Sequence, residues 1–207
     1  MRLFLLRHPE PQGAHGLCYG RTDLPVTPDA VRATTSHLRT HFPGRLDTVI
    51  SSPLQRCTRV AANLTQSYDI DDRLTELDFG LWENQLWDNI SRPEVDHWAK
   101  SHLSHPVPGG ESWTHLRTRA NECLRDLRTK HYESALIVTH AGIIRALLAR
   151  ILDIDLNATW HIQLPFGCVI ETLVGLDPRY DRIISICPTH VSPDPPSGRM
   201  IPAPSFL

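Results

Sequence analysis

The chain contains three short apolar runs. Each run ends on polar residues, and a segment whose apolar residues have helical spacing follows. The runs are residues 2–7, 47–51 and 135–139. Short runs of apolar and β-branched residues are typical of buried strands, whereas apolar residues spaced three and four apart are typical of helices. The alternation of the two patterns predicts an α/β protein with a largely parallel central sheet.

Polar residues and prolines mark where the predicted helices begin. Thr27-Pro28 is typical of an N-cap followed by proline in the first helical turn, and this helix should end near Pro43-Gly44. Ser52-Pro53 repeats the signature and predicts a second helix that starts there and carries Arg56. A further helix should follow the strand at 135–139. Two later apolar runs predict strands at 167–174 and 182–187.

Residues 73–131 interrupt the strand–helix rhythm. They contain a tryptophan-rich stretch, the turn at 106–110 and a long amphipathic helix predicted to begin near Ser112. We interpret this region as a partly helical cap over the edge of a three-layer α/β/α sandwich. The prediction is therefore one domain over residues 1–190, followed by a proline-rich tail at 191–207.

Composition limits the classes of protein that fit. A chain of 207 residues with 41% hydrophobic and 21% charged residues fits one globular domain, and its net charge of −2 favours neither nucleic acid nor an anionic membrane as a partner. The five cysteines form no Cys-x-x-Cys pair, which favours reduced thiols. The four apolar residues after Met1-Arg2 are too few for the apolar region of a signal peptide, and the sequence contains no apolar stretch of 18 residues. We therefore expect a cytoplasmic protein, either monomer or homodimer.

Chemistry-bearing residues stand at the ends of the predicted strands. Arg7-His8 closes the first strand, Arg56 follows the second, and His140 follows the strand at 135–139. Ligands of open α/β sheets bind at the carboxyl ends of the strands. Arginine contacts phosphate with a planar fork of donors, and nearby guanidinium charge keeps a histidine neutral enough to attack. This set of residues favours phosphoryl transfer through a histidine.

Several ordered elements along the chain resemble the motifs of one known family. They are Leu6-Arg7-His8-Pro9-Glu10, residues 18–25 (Cys-Tyr-Gly-Arg-Thr-Asp-Leu-Pro), residues 51–57 (Ser-Ser-Pro-Leu-Gln-Arg-Cys), residues 73–83 with their Phe-Gly-Leu-Trp-Glu end, and residues 108–112 followed by Val138-Thr139-His140-Ala141-Gly142. In this order they resemble the histidine phosphatase, or phosphoglycerate-mutase-like, superfamily. The short loop and the Glu-x-Asp-Phe-Gly stretch are most similar to its α-ribazole phosphatase branch.

The resemblance implies a metal-independent phosphomonoesterase that uses no cofactor and acts on a small-molecule phosphomonoester. It implies that His8 is the nucleophile that becomes phosphorylated and that Arg7 and Arg56 bind the phosphate. It further implies that His140 is a catalytic residue that donates to the phosphate, and that Glu76 is the general acid. In the α-ribazole branch the substrate would be α-ribazole 5′-phosphate, in cobalamin synthesis.

The chain departs from the family pattern at four positions. Pro9 and Ala141 replace glycines, Asn84 stands where glycine often follows Trp-Glu, and Ala14 stands where the cofactor-dependent mutases carry asparagine. Pro9 has no amide hydrogen to offer a phosphate. The absence of that asparagine, and of the longer insertions that the mutases carry, favours a phosphatase over a phosphoglycerate-type mutase. A broad small-molecule phosphatase, such a mutase, and a non-catalytic module that binds a phosphorylated ligand or a protein remain the alternatives.

Overall fold

The computed structural model describes residues 1–42 and 44–189. Eight strands occur within these residues: β1 (Arg2–Arg7), β2 (Leu17–Cys18), β3 (Thr48–Ser51), β4 (Asp69–Ile70), β5 (Gln85–Leu86), β6 (Ser134–Thr139), β7 (Val169–Leu173) and β8 (Arg182–Cys187). Six of them form one sheet in the order β4-β3-β6-β1-β7-β8, and β2 pairs with β5. The pairings from β4 to β1 are parallel, whereas β7 is antiparallel to both β1 and β8. The sheet is therefore mixed but mostly parallel.

Five α-helices connect these strands: α1 (Pro28–His41), α2 (Gln55–Leu64), α3 (Arg92–Ala99), α4 (Trp113–Arg128) and α5 (Ala141–Leu152). Short 3-10 helices lie at Asp72–Leu74, Gly80–Trp82, Trp87–Asn89, Leu156–His161 and Pro178–Tyr180. Two predicted helix starts are confirmed, because the Thr27 hydroxyl accepts from the amide of Ala30 and Ser112 caps α4 in the same way.

Each face of the sheet is covered by a pair of helices. Alternate residues of a strand point to opposite faces, so Leu3 and Leu5 pack with α4 and α5, whereas Phe4 and Leu6 pack with α1 and α2. All four side chains are fully buried. The predicted three-layer α/β/α sandwich is confirmed.

The start of α2 was predicted wrongly. The helix begins at Gln55 with Leu54 as its N-cap, and no side chain caps it. The Ser52 hydroxyl makes only a long contact of 3.4 Å with the Leu54 amide, because a shorter bond holds it to a histidine at the sheet edge.

Helical spacing in α4 predicts that Arg128 faces away from the core into solvent, and this prediction is wrong. Arg128 forms an ion pair with Asp181 in which the aspartate side chain is fully buried. Within residues 73–131, α4 packs along α5, and the 3-10 helices, β5 and α3 precede it. Trp82 and Trp113 are buried in the core. The predicted tail at 191–207 lies outside the described residues.

Candidate active site

Three neighbouring parallel strands deliver the predicted site residues to one edge of the sheet. Arg7 of β1 pairs with Thr139 of β6, so His8 and His140 leave the sheet side by side. Their ring centroids are 5.0 Å apart. The strand β3 is the neighbour of β6 on the side opposite β1, and the Ser52-Pro53-Leu54 turn follows it. Arg56 is the second residue of α2, which begins directly after this turn.

His8 is held in one tautomer. Its Nδ1 lies 2.7 Å from the carbonyl oxygen of Pro9, which can only accept, so Nδ1 carries the proton and Nε2 keeps its lone pair. Burial, followed by the charges of Arg56 and Arg7, lowers the pKa of His8 well below its ordinary value of 6.5. The imidazole is therefore neutral at physiological pH, with a nucleophilic nitrogen. Pro9 contributes its carbonyl group, which the missing amide hydrogen does not affect.

Both ring nitrogens of His140 are engaged. The guanidinium of Arg56 is only a donor, and its Nε lies 3.3 Å from Nδ1 of His140. The proton of the neutral ring is therefore on Nε2, which donates to the Ser52 hydroxyl over 2.7 Å. The Cys57 sulfur also lies 3.6 Å from Nε2. Burial and the nearby Arg56 charge lower the pKa of His140 well below 6.5, which agrees with a single proton.

Ser52 is a site residue that the sequence reasoning assigned to a helix cap. It is fully buried, and its hydroxyl fixes the ring of His140 by accepting from Nε2. The available signal was its place in the Ser-Ser-Pro motif, which stands beside Arg56 in the chain.

Arg56 is a fully buried arginine that fastens the loop after β2 to the site. It donates to the carbonyl oxygens of Thr22 over 2.7 Å and Gly20 over 2.5 Å. Its guanidinium carbon lies 5.3 Å from the ring centroid of Tyr19. Burial raises the pKa of the Tyr19 phenol, which keeps its proton available for donation.

Arg7 is the second arginine of the site. It donates to the carbonyl oxygen of Leu164, and its guanidinium lies 3.9 Å above the ring centroid of Phe166. Its Nε is buried and has no hydrogen-bond partner within residues 1–42 and 44–189. A buried donor on a cation without an acceptor is costly, so this N–H is suited to an anion.

Glu76 reaches the same region from the segment that follows the Asp72–Leu74 helix. Its Oε2 accepts from the amide of Gly142 at the start of α5 over 3.1 Å, and its Oε1 accepts from the amide of Leu77 over 3.0 Å. A Cβ atom at position 142 would collide with Oε1 of Glu76, so a larger residue there would displace this carboxylate. Burial lowers the pKa of Arg7, and acidic groups that include Glu76 oppose this shift, which places the carboxylate within electrostatic range of the guanidinium.

Glu83 organises the loop after β2 through its hydrogen bonds to the backbone. Its carboxylate accepts from the amides of Gly20, Arg21, Thr22 and Phe79 over 2.9 to 3.0 Å. Its partners are backbone amides and the Thr22 hydroxyl rather than an arginine. Because Arg56 holds the carbonyls of the same loop, the two side chains fix its backbone from both sides.

Asn84 occupies a backbone conformation that explains the glycine of the family pattern. Its φ is 64°, in the left-handed region that asparagine tolerates better than most residues. Its amide donates to the carbonyl oxygen of Cys18 over 2.8 Å. The departure from glycine at this position therefore preserves the turn.

The five predicted site residues thus converge on one edge of the sheet. Within the described part of the chain, no three His, Cys, Asp or Glu side chains are grouped to hold a metal ion, and every helix is too short or too polar to cross a bilayer. The geometry combines two guanidinium groups, of the half-buried Arg7 and the fully buried Arg56, with a neutral nucleophilic histidine and a nearby carboxylate.

Comparison with known proteins identifies the class. The histidine phosphatase superfamily (branch 1) matches residues 3–179, so the chain belongs to this superfamily, and it is a phosphatase. The adenosylcobalamin/alpha-ribazole phosphatase of Escherichia coli (strain K12) is 28% identical over 178 residues, which cover 81% of this chain and 87% of that protein.

A further curated relative and a solved structure are also similar to this chain. Phosphoserine phosphatase 1 of Hydrogenobacter thermophilus is 26% identical over 151 residues, covering 68% of this chain and 70% of that protein. The crystal structure of the alpha-ribazole phosphatase from Shigella flexneri superposes with a TM-score of 0.78 at 25% identity, over 91% of this chain and 96% of that one.

Proposed function

We propose that this phosphatase hydrolyses small phosphomonoesters through a phosphohistidine on His8. The observation that carries the proposal is the pairing of Arg7 and Arg56, two guanidinium groups at the sheet edge. Neither forms an ion pair with a carboxylate among residues 1–42 and 44–189, and the Nε of Arg7 lacks any acceptor there. A phosphoryl group supplies the missing negative charge and accepts from both planar forks.

In the first step, Nε2 of His8 attacks phosphorus, and the bond from phosphorus to the leaving oxygen breaks. Protonated Glu76 gives its proton to that oxygen, so an alcohol departs and a carboxylate remains. Arg7 and Arg56 stabilise the charge on the equatorial oxygens. Nδ1 of His8 keeps its proton and continues to donate it to the Pro9 carbonyl oxygen, which keeps the nucleophile aligned.

In the second step, water attacks the phosphorus of the phosphohistidine and gives a proton to the Glu76 carboxylate. The bond between nitrogen and phosphorus breaks, and inorganic phosphate and neutral His8 are regenerated. His140 lines the phosphate site in this scheme. Because its Nδ1 accepts from Arg56 in the structure, donation to phosphate requires that Nδ1 gain a proton when the substrate binds.

The first candidate substrate is α-ribazole 5′-phosphate, which agrees with the names of the Escherichia coli and Shigella flexneri relatives and with the short Tyr19-Gly20 loop. The Hydrogenobacter relative makes phosphoserine the second candidate. The cap that we propose within residues 73–131 would contact the leaving group, since this segment carries Glu76.

The test is phosphate release from a substrate panel in the presence of a chelator. The panel contains α-ribazole 5′-phosphate, phosphoserine, 3-phosphoglycerate, sugar phosphates and p-nitrophenyl phosphate, with and without a bisphosphorylated primer. We expect His8→Ala to lower turnover by at least about 10⁴-fold and to abolish acid-labile phosphate on the protein, because the covalent route is lost.

A His15→Ala variant, which alters an exposed histidine of the following loop, controls for the substitution itself. Normal turnover in His8→Ala would refute the mechanism. Turnover only with the primer would indicate a mutase, and phosphate binding without turnover would indicate a non-catalytic module.

A further inference from the structure

A single arginine on α4 lies beneath the segment that carries Glu76. Arg119 donates from Nη1 to the carbonyl oxygens of Arg73, over 2.7 Å, and Thr75, and from Nη2 to that of Glu76 over 3.1 Å. Three carbonyls within four consecutive residues are thus bound by one side chain. This side chain is 43 residues from Glu76 in the chain.

The rest of the same guanidinium is bound by Glu111. Nε and Nη2 of Arg119 lie 2.8 Å from Oε1 and Oε2 of Glu111, in a largely buried ion pair. The amide of Glu111 in turn donates to the carbonyl oxygen of Asp78 over 2.8 Å. The pair therefore holds the acid-bearing segment on both sides of Glu76.

We propose that Arg119, oriented by Glu111, is a positioning residue that sets the place of the Glu76 carboxylate against the leaving oxygen. The inference rests on the proposed role of Glu76 as general acid. The hydrogen bonds and the ion pair of Arg119 go to the segment that carries Glu76 and to Glu111, and its charge is also among those that lower the pKa of His140.

The number and geometry of donors explain why arginine is needed. All five N–H groups of Arg119 are used, two toward the carboxylate and three toward carbonyls. Lysine has three donors and no plane, so it cannot hold the carboxylate and the three carbonyls together. Because the backbone of Glu76 is fixed by Arg119, its carboxylate is held where it accepts from the Gly142 amide. A displacement of about 1 Å at a catalytic group can cost about 100-fold in rate.

The experiment compares leaving groups. We would measure kcat/KM for phosphomonoesters that range from p-nitrophenyl phosphate to simple alkyl phosphates in wild type, Glu76→Gln, Arg119→Met and Arg119→Lys. An alkyl alcohol needs a proton to depart, whereas p-nitrophenolate does not. We expect Arg119→Met to lose about 30-fold on alkyl phosphates and less than about 3-fold on p-nitrophenyl phosphate, with Arg119→Lys between it and wild type.

Arg128→Met is the matched control. Arg128 lies on the same helix, binds the Asp181 carboxylate and the Gly175 carbonyl, and is distant from the acid-bearing segment. We expect it to lower thermal stability without any dependence of kcat/KM on the leaving group. Retained turnover of p-nitrophenyl phosphate shows that an Arg119 variant is folded. If Arg119→Met does not fold, the comparison of leaving groups is made with Arg119→Lys.

A double variant separates positioning from general damage. If Arg119 acts through Glu76, then Glu76→Gln with Arg119→Met is no slower on alkyl phosphates than Glu76→Gln alone. Additive losses, or a uniform loss across leaving groups in the Arg119 variants, would overturn the positioning role alone. A uniform loss in Glu76→Gln would instead refute the general acid of the proposed function, and the positioning role with it.

Discussion

The two halves of the site are built in different ways. The phosphate clamp consists of Arg7, His8, Arg56 and His140. These residues lie at or shortly after the ends of three neighbouring strands, and the register of the strands brings them together. The acid loop, residues 75–83, has no strand within it. It is held by Arg119 from α4, by the Gly142 amide from α5, and by the bonds of Glu83 to the loop after β2.

The difference follows from how each half obtains its rigidity. Parallel strands impose a common edge on any residues that follow them, so a clamp placed there is preorganised by the sheet. A loop lacks this support and depends on side chains that arrive from distant parts of the chain. We therefore expect substitutions in the clamp to affect every substrate, and substitutions around the acid loop to affect substrates or stability selectively.

The largest effect that would sharpen the comparison is expected at Arg56. Arg56→Lys removes the planar fork, the bond to His140 and the anchors of the loop at Gly20 and Thr22. We expect kcat/KM to fall by about 10²–10³-fold on all phosphomonoesters, whatever the leaving group. Arg59→Lys, at an exposed arginine of the same helix, is the control. A loss confined to poor leaving groups would remove the distinction between the two halves.

A smaller effect is expected at Ser52. Ser52→Ala leaves the Nε2–H of buried His140 without its hydroxyl acceptor, so the ring loses its fixed tautomer. We expect about a tenfold fall in kcat/KM on all substrates and a change in the ¹⁵N chemical shifts of the His140 ring. Ser52→Thr keeps the hydroxyl and should restore most of the activity. Unchanged ring shifts in Ser52→Ala would contradict the assigned hydrogen bond.

The smallest effect on rate, and a distinct effect on stability, is expected at Glu83. Burial would raise the pKa of Glu83, but the bonds from Thr22 and from the amides of Gly20, Phe79 and Arg21 outweigh it and hold the pKa below its ordinary value of 4.5. A lowered pKa in the folded state stabilises the protein above the unfolded value, and this contribution is lost as the pH falls through the folded value.

We therefore expect Glu83→Gln to lower the free energy of unfolding by about 1–3 kcal/mol near neutral pH, as measured by urea denaturation. The difference from wild type should shrink as the pH is lowered below 4.5, the ordinary value. Glu94→Gln, at an exposed glutamate of α3, should show neither effect. A stability difference that does not depend on pH would contradict the amide-bound carboxylate.

The fold and the clamp were largely predictable because they depend on local patterns. Strands at 2–7 and 182–187 have the predicted bounds, and the capping residues Thr27 and Ser112 start their helices as expected. The start of α2 was not predictable, because Ser52 meets the usual rules for a cap while its hydroxyl binds His140 instead. Arg128 likewise follows helical spacing toward solvent but meets Asp181 from the segment before β8.

The sequence by itself determined the α/β alternation, the strand-end positions of Arg7, His8, Arg56 and His140, and the membership of the superfamily, since strand runs, caps and motifs are contiguous in the chain. Only the tertiary structure decided which tautomers the two histidines adopt, what Ser52 does, and how Arg119 and Glu83 secure the acid loop. These features depend on contacts between residues 43 to 88 positions apart in the chain, from Arg119 with Glu76 to Ser52 with His140, or on the buried surroundings of a ring. Neither is encoded in a local pattern. The strand ends therefore carry the residues that perform the chemistry, and the packing around them aligns the side chains of these residues.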